Sequence, residues 1–231
     1  MAHADFGIRA ETGKVEEYKD PDKDVQLLLG LEYRGEKFNM GKSGISYDFT
    51  NSNKYAAEVL LSSKNYGYEA SDSKTFSGMK KRNPSLDLGG RFIMDTRVGP
   101  AVLDVTKDVN SSKGFEAALK LGGITPHAAH WTGERNVTVA PAIGVRYQSA
   151  KTVDYFYGVK KTEATSARSA YKGKSAVTPF IGLEAQANIT PHFSVNADLG
   201  VSKRAKSIKD SPLTNNKDHE LGANIGITYW F

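Results

Sequence analysis

The stretch GANIGITYWF, residues 222–231, alternates apolar residues with small or polar ones. Taken with the preceding residue, Leu221, Ala223, Ile225, Ile227, Tyr229 and Phe231 project to one side, and Gly222, Asn224, Gly226, Thr228 and Trp230 to the other. Period two is the signature of an extended strand with unlike faces.

The same rhythm recurs along the chain. Val25, Leu27, Leu29, Leu31 and Tyr33 alternate with Gln26, Leu28, Gly30 and Glu32; Tyr55, Ala57, Val59 and Leu61 with Glu58, Leu60 and Ser62. Leu86, Leu88, Phe92 and Met94 oppose Asp87, Arg91 and Asp95, and Val137, Val139, Ile143, Val145 and Tyr147 oppose Thr138, Gly144, Arg146 and Gln148. Ile181, Leu183, Ala185 and Ala187 face away from Glu184 and Gln186, and Phe193, Val195, Ala197, Leu199 and Val201 from Asn196, Asp198 and Arg204. Helical periodicity is nearly absent, and no apolar run approaches the ~20 residues of a membrane-spanning helix.

Short connections (33–37, 96–100, 131–135, 188–192) alternate with long polar ones (17–24, 65–83, 151–174, 205–218). An up-and-down outer-membrane barrel has this pattern, with short periplasmic turns and longer outer loops. Strands are expected near 5–16, 24–34, 54–66, 84–97, 100–112, 115–126, 135–149, 175–189, 192–204 and 217–231. A short extra pair within 37–49 raises ten strands to twelve, the favoured even count; ten stays open. Pro141 and Pro179 fall inside expected strands, where bulges or ladder ends accommodate them.

In a soluble barrel the apolar face fills the core; in a membrane barrel it meets lipid. Ionic residues crowd the opposite face: Arg9, Glu11, Glu32, Glu58, Asp87, Arg91, Asp95, Glu116, Lys120, Arg146, Glu184, Asp198 and Arg204. Tyr33, Tyr55, Tyr147, Phe193, Tyr229 and Phe231 sit at the ends of the apolar face, as interfacial girdles require. The expected fold is therefore all-β, a transmembrane antiparallel barrel with those thirteen residues lining the lumen. Arg91 has Asp87 and Asp95 on its own strand face as candidate counter-charges. Mutual neutralisation would fill a narrow interior; a hydrated passage would select small charged solutes.

The 231 residues lack cysteine and read as one domain over 1–231. Residues 1–4 have the look of a start Met followed by a signal-cleavage remnant, or of a tag. The net charge of +5 is scattered; Lys80, Lys81 and Arg82 form one short basic run, read as a solvated loop and not as a nucleic-acid site. His127 and His130 have a metal-like spacing only on a helix, so no metal, cofactor or catalytic set is expected.

Asn224, Gly226, Tyr229 and Phe231 resemble the terminal signal read by the bacterial barrel assembly machinery. A longer likeness runs through YFYGVKKTEATSARSAY (155–171), GLEAQ (182–186), NITPHFSVNADLGVSKR (188–204) and DSPLTNN (210–216). With Tyr157-Gly158-Val159, Thr190-Pro191-His192 and Ser211-Pro212-Leu213 in their places, the chain resembles the MipA/OmpV family of MltA-interacting proteins. The likeness is strongest in the C-terminal third; the loops at 17–24 and near 80 depart from it. It implies a Gram-negative outer-membrane protein contacting membrane lipid and lipopolysaccharide. It also implies a non-catalytic envelope scaffold that engages a murein transglycosylase or synthase. A narrow channel for charged solutes and a lipid-modifying enzyme are the alternatives. Tyr155, Phe156 and Tyr157, in the longest outer loop, are expected to pack over the barrel mouth; with Tyr171 they are also the candidates for external contact.

Overall fold

The computed structural model describes residues 4–15, 18–19, 26–50, 52, 54–64, 67–125 and 135–231. Twelve strands form one closed antiparallel barrel: β1 (Asp5–Val15), β2 (Gln26–Arg34), β3 (Phe38–Gly41), β4 (Gly44–Asp48), β5 (Tyr55–Lys64), β6 (Ser85–Thr96), β7 (Gly99–Asp108), β8 (Phe115–Gly122), β9 (Asn136–Gln148), β10 (Ala176–Thr190), β11 (Phe193–Lys203) and β12 (His219–Trp230). The short pair expected within 37–49 is β3–β4, which gives the count of twelve. Closure runs through nine β1–β12 pairs, from Gly7↔Trp230 to Val15↔Gly222.

The faces are sorted inside out relative to a soluble barrel. Leu27, Leu29, Val139, Ile181, Leu199 and Ile225 are exposed on the outer wall, whereas Glu58, Asp87, Arg91 and Glu116 are buried toward the axis. A continuous apolar belt of this kind requires a lipid surround. Stacked, tilted or edge-on aromatic pairs mark both rims: Phe6–Phe231, Tyr229–Phe231, Tyr33–Phe38 and Tyr55–Phe92 at one, Phe115–Tyr147 at the other. Trp230 turns inward, its Nε1 donating to Ser194 Oγ at 3.0 Å under the Arg34 guanidinium, which lies 4.1 Å from the ring centroid. Gly7 permits this, because a Cβ there would stand 2.8 Å from the indole.

Both prolines are accommodated at ladder ends and not at bulges. Pro141 lies one residue past the last β8–β9 pair, Gly122↔Ala142, and Pro179 one residue before the first β10–β11 pair, Phe180↔Ser202. A missing N–H there removes no bond of that ladder. The register shift in β10 falls elsewhere, between Asn188 and Thr190.

The long loops at the rim away from the chain ends fold over it as a cap with its own core. Helix α1 (Ala150–Tyr157) is N-capped by Ser149 and buries Val153, Phe156 and Tyr157 against Ala176 and against Ile208 of the short helix α2 (Lys206–Lys209). A second cluster joins Tyr68, Phe76, Met79, Val159 and Leu213. Tyr18 bridges the two, edge-on to Tyr68 and Phe76 at 5.3 Å each. Phe156 (0% exposed) and Tyr157 (4%) form the cap interior over the mouth, because α1 turns its apolar stripe inward, and burial removes these two from the candidates for external contact. Tyr155 and Tyr171 are half-buried, and Tyr171 donates its hydroxyl to Ser207 O at 2.8 Å.

Arg82 also departs from expectation. It is buried, paired to Glu163 in a fork of 2.8 and 3.1 Å (Nη2–Oε2 and Nη1–Oε1). Glu163 accepts further from the backbone N–H groups of Lys160 and Lys80, both at 3.2 Å. Arg168 binds the carbonyls of Thr75, Ser77 and Glu163, tying the 67–84 and 158–171 segments together. Burial alone would push the Glu163 carboxyl up; the Arg82 fork and the backbone donors outweigh it and hold the group at about 2, against an ordinary value of 4.5.

A carboxyl depressed in the folded state contributes stability that is complete above pH 4.5 and lost as the pH falls toward 2. The cap is expected to lose on the order of 3 kcal/mol across that window. Pepsin should cut 67–84 and 158–171 far faster at pH 2 than at pH 4 relative to an unfolded control substrate, and Glu163→Gln should abolish the difference. On the barrel wall, Leu199→Arg, at mid-height on the outer face of β11, should destabilise by about 2–4 kcal/mol in urea titrations of vesicle-folded protein. Ala118→Ser, on the inner face of β8, should be near neutral.

Candidate functional site: the polar lumen

Strand alternation sends every second side chain of each strand toward the axis, and register decides which charges meet. Arg91 illustrates the rule. Asp87 and Asp95 lie four residues away along β6, about 13 Å at strand rise. Directly across the ladder are Asp104 on β7 and Glu58 on β5. Arg91 accordingly forks onto Asp104 at 2.7 and 2.9 Å and stands 3.9 Å from Glu58. The same-strand pairing expected for Arg91 is thus replaced by cross-strand pairing, the usual unit of sheet contact. Asp87 instead bonds Ser85, and Asp95 is exposed at the mouth.

The remaining lumen residues fall into three groups. Arg9 pairs with Glu11 and with Glu32 (2.7 Å), and Asn224 donates to Glu11 and to Asp198 (3.3 Å). Lys120 pairs with Glu184 at 2.7 Å, which also accepts from the Ile124 N–H, and Glu116 accepts from Gln148 at 3.4 Å. Arg204, near the cap, pairs with Glu220 at 3.3 Å and bonds Asn215. Arg146 is exposed, between Ala118 and Thr178 in the ladders.

Residues that sequence reasoning passed over link these groups. β3 and β4 join at Lys42-Ser43, flanked by Gly41 and Gly44. Gly44 has φ +109°, and a Cβ there would lie 2.2 Å from Leu61 O, so the tip requires glycine. Lys42 Nζ reaches Asp198 Oδ2 at 2.9 Å and Glu11 Oε1 at 3.0 Å, and Ser43 Oγ accepts from Arg91 Nη1 at 3.3 Å. The tip therefore connects β1 and β11 on one side with β6 on the other, across the lumen at mid-height. The signal was present in GKSG, two glycines around a two-residue turn. Asp104 was likewise legible in VLDVTKD, where it shares a face with Thr106 and Asp108.

At the rim carrying both chain ends the lumen widens into a cavity of about 350 Å³. Its walls include Arg34, Glu36, Asp48, Lys54, Glu58 and Asp95, four carboxylates against two cations, with Ile93 on its inner wall. Barrel polarity makes this the periplasmic side. His192 lies at the same rim, its Nδ1 2.8 Å from Trp230 O and its ring stacked on Tyr229, whereas His219 is exposed at the other end of β12. His3, His127 and His130 lie outside the described residues.

The family model for MltA-interacting protein MipA matches residues 7–231. Outer membrane protein Omp26La of Vibrio anguillarum is 24% identical over 94% of this chain and 83% of its own length. Outer membrane protein OmpV of Vibrio cholerae is 25% identical over the same shares. The MltA-interacting protein of Escherichia coli is 27% identical over 100% of this chain and 93% of its own length. With all of the barrel but the first two residues of β1 inside the matched region, the chain belongs to the MltA-interacting protein (MipA) family and is an outer-membrane β-barrel of the Gram-negative envelope.

Proposed function

We propose that this barrel is a non-catalytic envelope scaffold whose periplasmic vestibule docks a basic segment of a murein-processing partner. The observation that carries the reading is the asymmetry of the lumen. A polar cavity with an excess of carboxylates opens at the periplasmic rim, while the opposite mouth lies under a cap with its own packed core. Between them, Lys42 and Ser43 reach across the lumen into its ion pairs. A relative that spans the whole chain carries the name MltA-interacting protein, which supports a murein transglycosylase as the partner class. The ion pairs of Arg9 with Glu11 and Glu32, Arg91 with Asp104 and Lys120 with Glu184 favour a rigid support over a solute passage, since these ions already hold counter-ions. The barrel would fix the partner at the membrane and the vestibule would orient it, with acidic residues steering the approach.

A photoreactive residue at Glu36, exposed in the vestibule wall, is expected to capture a murein transglycosylase in intact cells. The combined reversal Asp48→Lys and Asp95→Lys should reduce capture at least tenfold, at unchanged barrel assembly. Planar bilayers containing the pure protein should stay electrically silent. Capture that survives charge reversal contradicts the docking role, and stepwise ion-selective currents would transfer the function to the channel alternative.

A further inference from the structure

The hydrogen-bonded circuit of the wall is thin at one place. β3 and β4 contribute only four and five residues. Among the described residues, β2 has partners on that side only at Tyr33↔Met40 and Arg34↔Asn39, and β5 is paired to β4 only from Glu58 to Leu61. Above the hairpin tip, toward the capped rim, β2 and β5 face each other where two strands stop short. The two absent strands leave a breadth of roughly 10 Å between the β2 and β5 edges, wide enough for an acyl chain.

Beside this gap an inner-face leucine is left exposed, whereas Leu60, Ile93 and Val102, large apolar residues on the inner faces of β5, β6 and β7, are buried. Leu27, Leu29 and Leu31 belong to the lipid-facing belt, at 70%, 75% and 53% exposure. Leu28 points to the lumen, on the same face as Gly30 and Glu32, yet is 43% exposed. A leucine exposed on the ionic side is out of place in a sealed barrel. It fits where apolar solvent wraps around a strand edge, and Leu27, Leu28 and Leu29 then form one apolar surface continuous with the belt. Below Leu28 the inner face turns polar, because the Arg9 guanidinium lies over Gly30 (a Cβ there would be 3.3 Å from Nη2) and pairs with Glu32.

We infer that the gap between β2 and β5 is a lateral portal, through which an acyl chain of an outer-leaflet lipid passes to lie on Leu28 inside the wall. The inward course of the hairpin tip, with Lys42 held by Asp198 and Glu11 and Ser43 by Arg91, keeps the gap from being filled by the wall itself. The free N–H and C=O groups along the β2 edge keep their water from the lumen side. Backbone is tolerated at membrane depth where it lines a hydrated cavity. The chain therefore packs on the leucines without filling the whole opening.

The protein has no cysteine, so single spin labels can be placed cleanly. Leu28→Cys, Leu27→Cys and Ala118→Cys are folded into dilauroylphosphatidylcholine vesicles, with barrel formation checked by heat-modifiable gel mobility. Accessibility to oxygen, which partitions into lipid, is compared with that to a water-soluble nickel chelate. The label at position 28 should match the lipid-facing label at 27 and exceed the lumen label at 118 several-fold in the oxygen-to-nickel ratio. Leu28→Trp, which keeps the position apolar, is a second reporter if Leu28→Cys does not fold: brominated acyl chains should quench it more strongly than they quench Ala118→Trp. A ratio at position 28 like that at 118, or equal quenching of the two tryptophans, overturns the portal, because water then fills the gap. Dipolar broadening between labels on separate molecules overturns it too, because a second copy of the chain then occupies the edge.

Discussion

Every backbone N–H and C=O within the hydrocarbon layer needs a partner, and this requirement organises the molecule. A strand cannot satisfy it alone, and an open sheet leaves two edges bare. The β1–β12 ladder removes those edges, and its register places Gly7 beneath Trp230 and Phe231 N–H on Phe6 O at 2.9 Å. The aromatic rim, the inward tryptophan and its Arg34 cover all follow from bringing these two strands together. Where the requirement is met least, above the short β3–β4 hairpin, the strand beside the gap carries leucine on both faces, at Leu27, Leu28 and Leu29.

Inversion of the faces follows from the same constraint. With lipid outside, the outer positions need no polarity, and the inner positions carry the ions that a soluble protein would display on its surface. Ionic groups confined in a narrow lumen must be neutralised by one another. Arg9 with Glu11 meets that need within one strand, and Arg9 with Glu32, Arg91 with Asp104, and Lys120 with Glu184 meet it between neighbouring or near-neighbouring strands. Lys42 does so from the hairpin tip.

Strand number, order and face assignment were legible because they depend on period two and on loop lengths, which are local properties of the sequence. The short β3–β4 pair was readable from the glycines and alternation of 37–49. Partner choice was not, since it depends on register: Arg91 takes Asp104 because the turn at Arg97-Val98 sets their strands opposite one another. Packing of Tyr155, Phe156 and Tyr157 over the mouth was legible, but the cap's own core and its ion pair were not, for a related reason. YFYGV and KKR read as loop sequence, and only the meeting of distant segments shows that Phe156 is core and that Arg82 has Glu163, 81 residues away, as its counter-ion. The vestibule likewise gathers residues from 34 to 125 that share no motif.

The central claim is that the apolar face of each strand touches lipid and the ionic face looks inward. The most direct test places single fluorescent cysteine labels from residue 223 to 228 along β12 in vesicles with brominated acyl chains. The account predicts that lipid bromine quenches odd positions such as Ile225 and Ile227 strongly, and even positions such as Asn224 and Thr228 weakly, in a period of two. Quenching of the even positions, or no alternation at all, would contradict it.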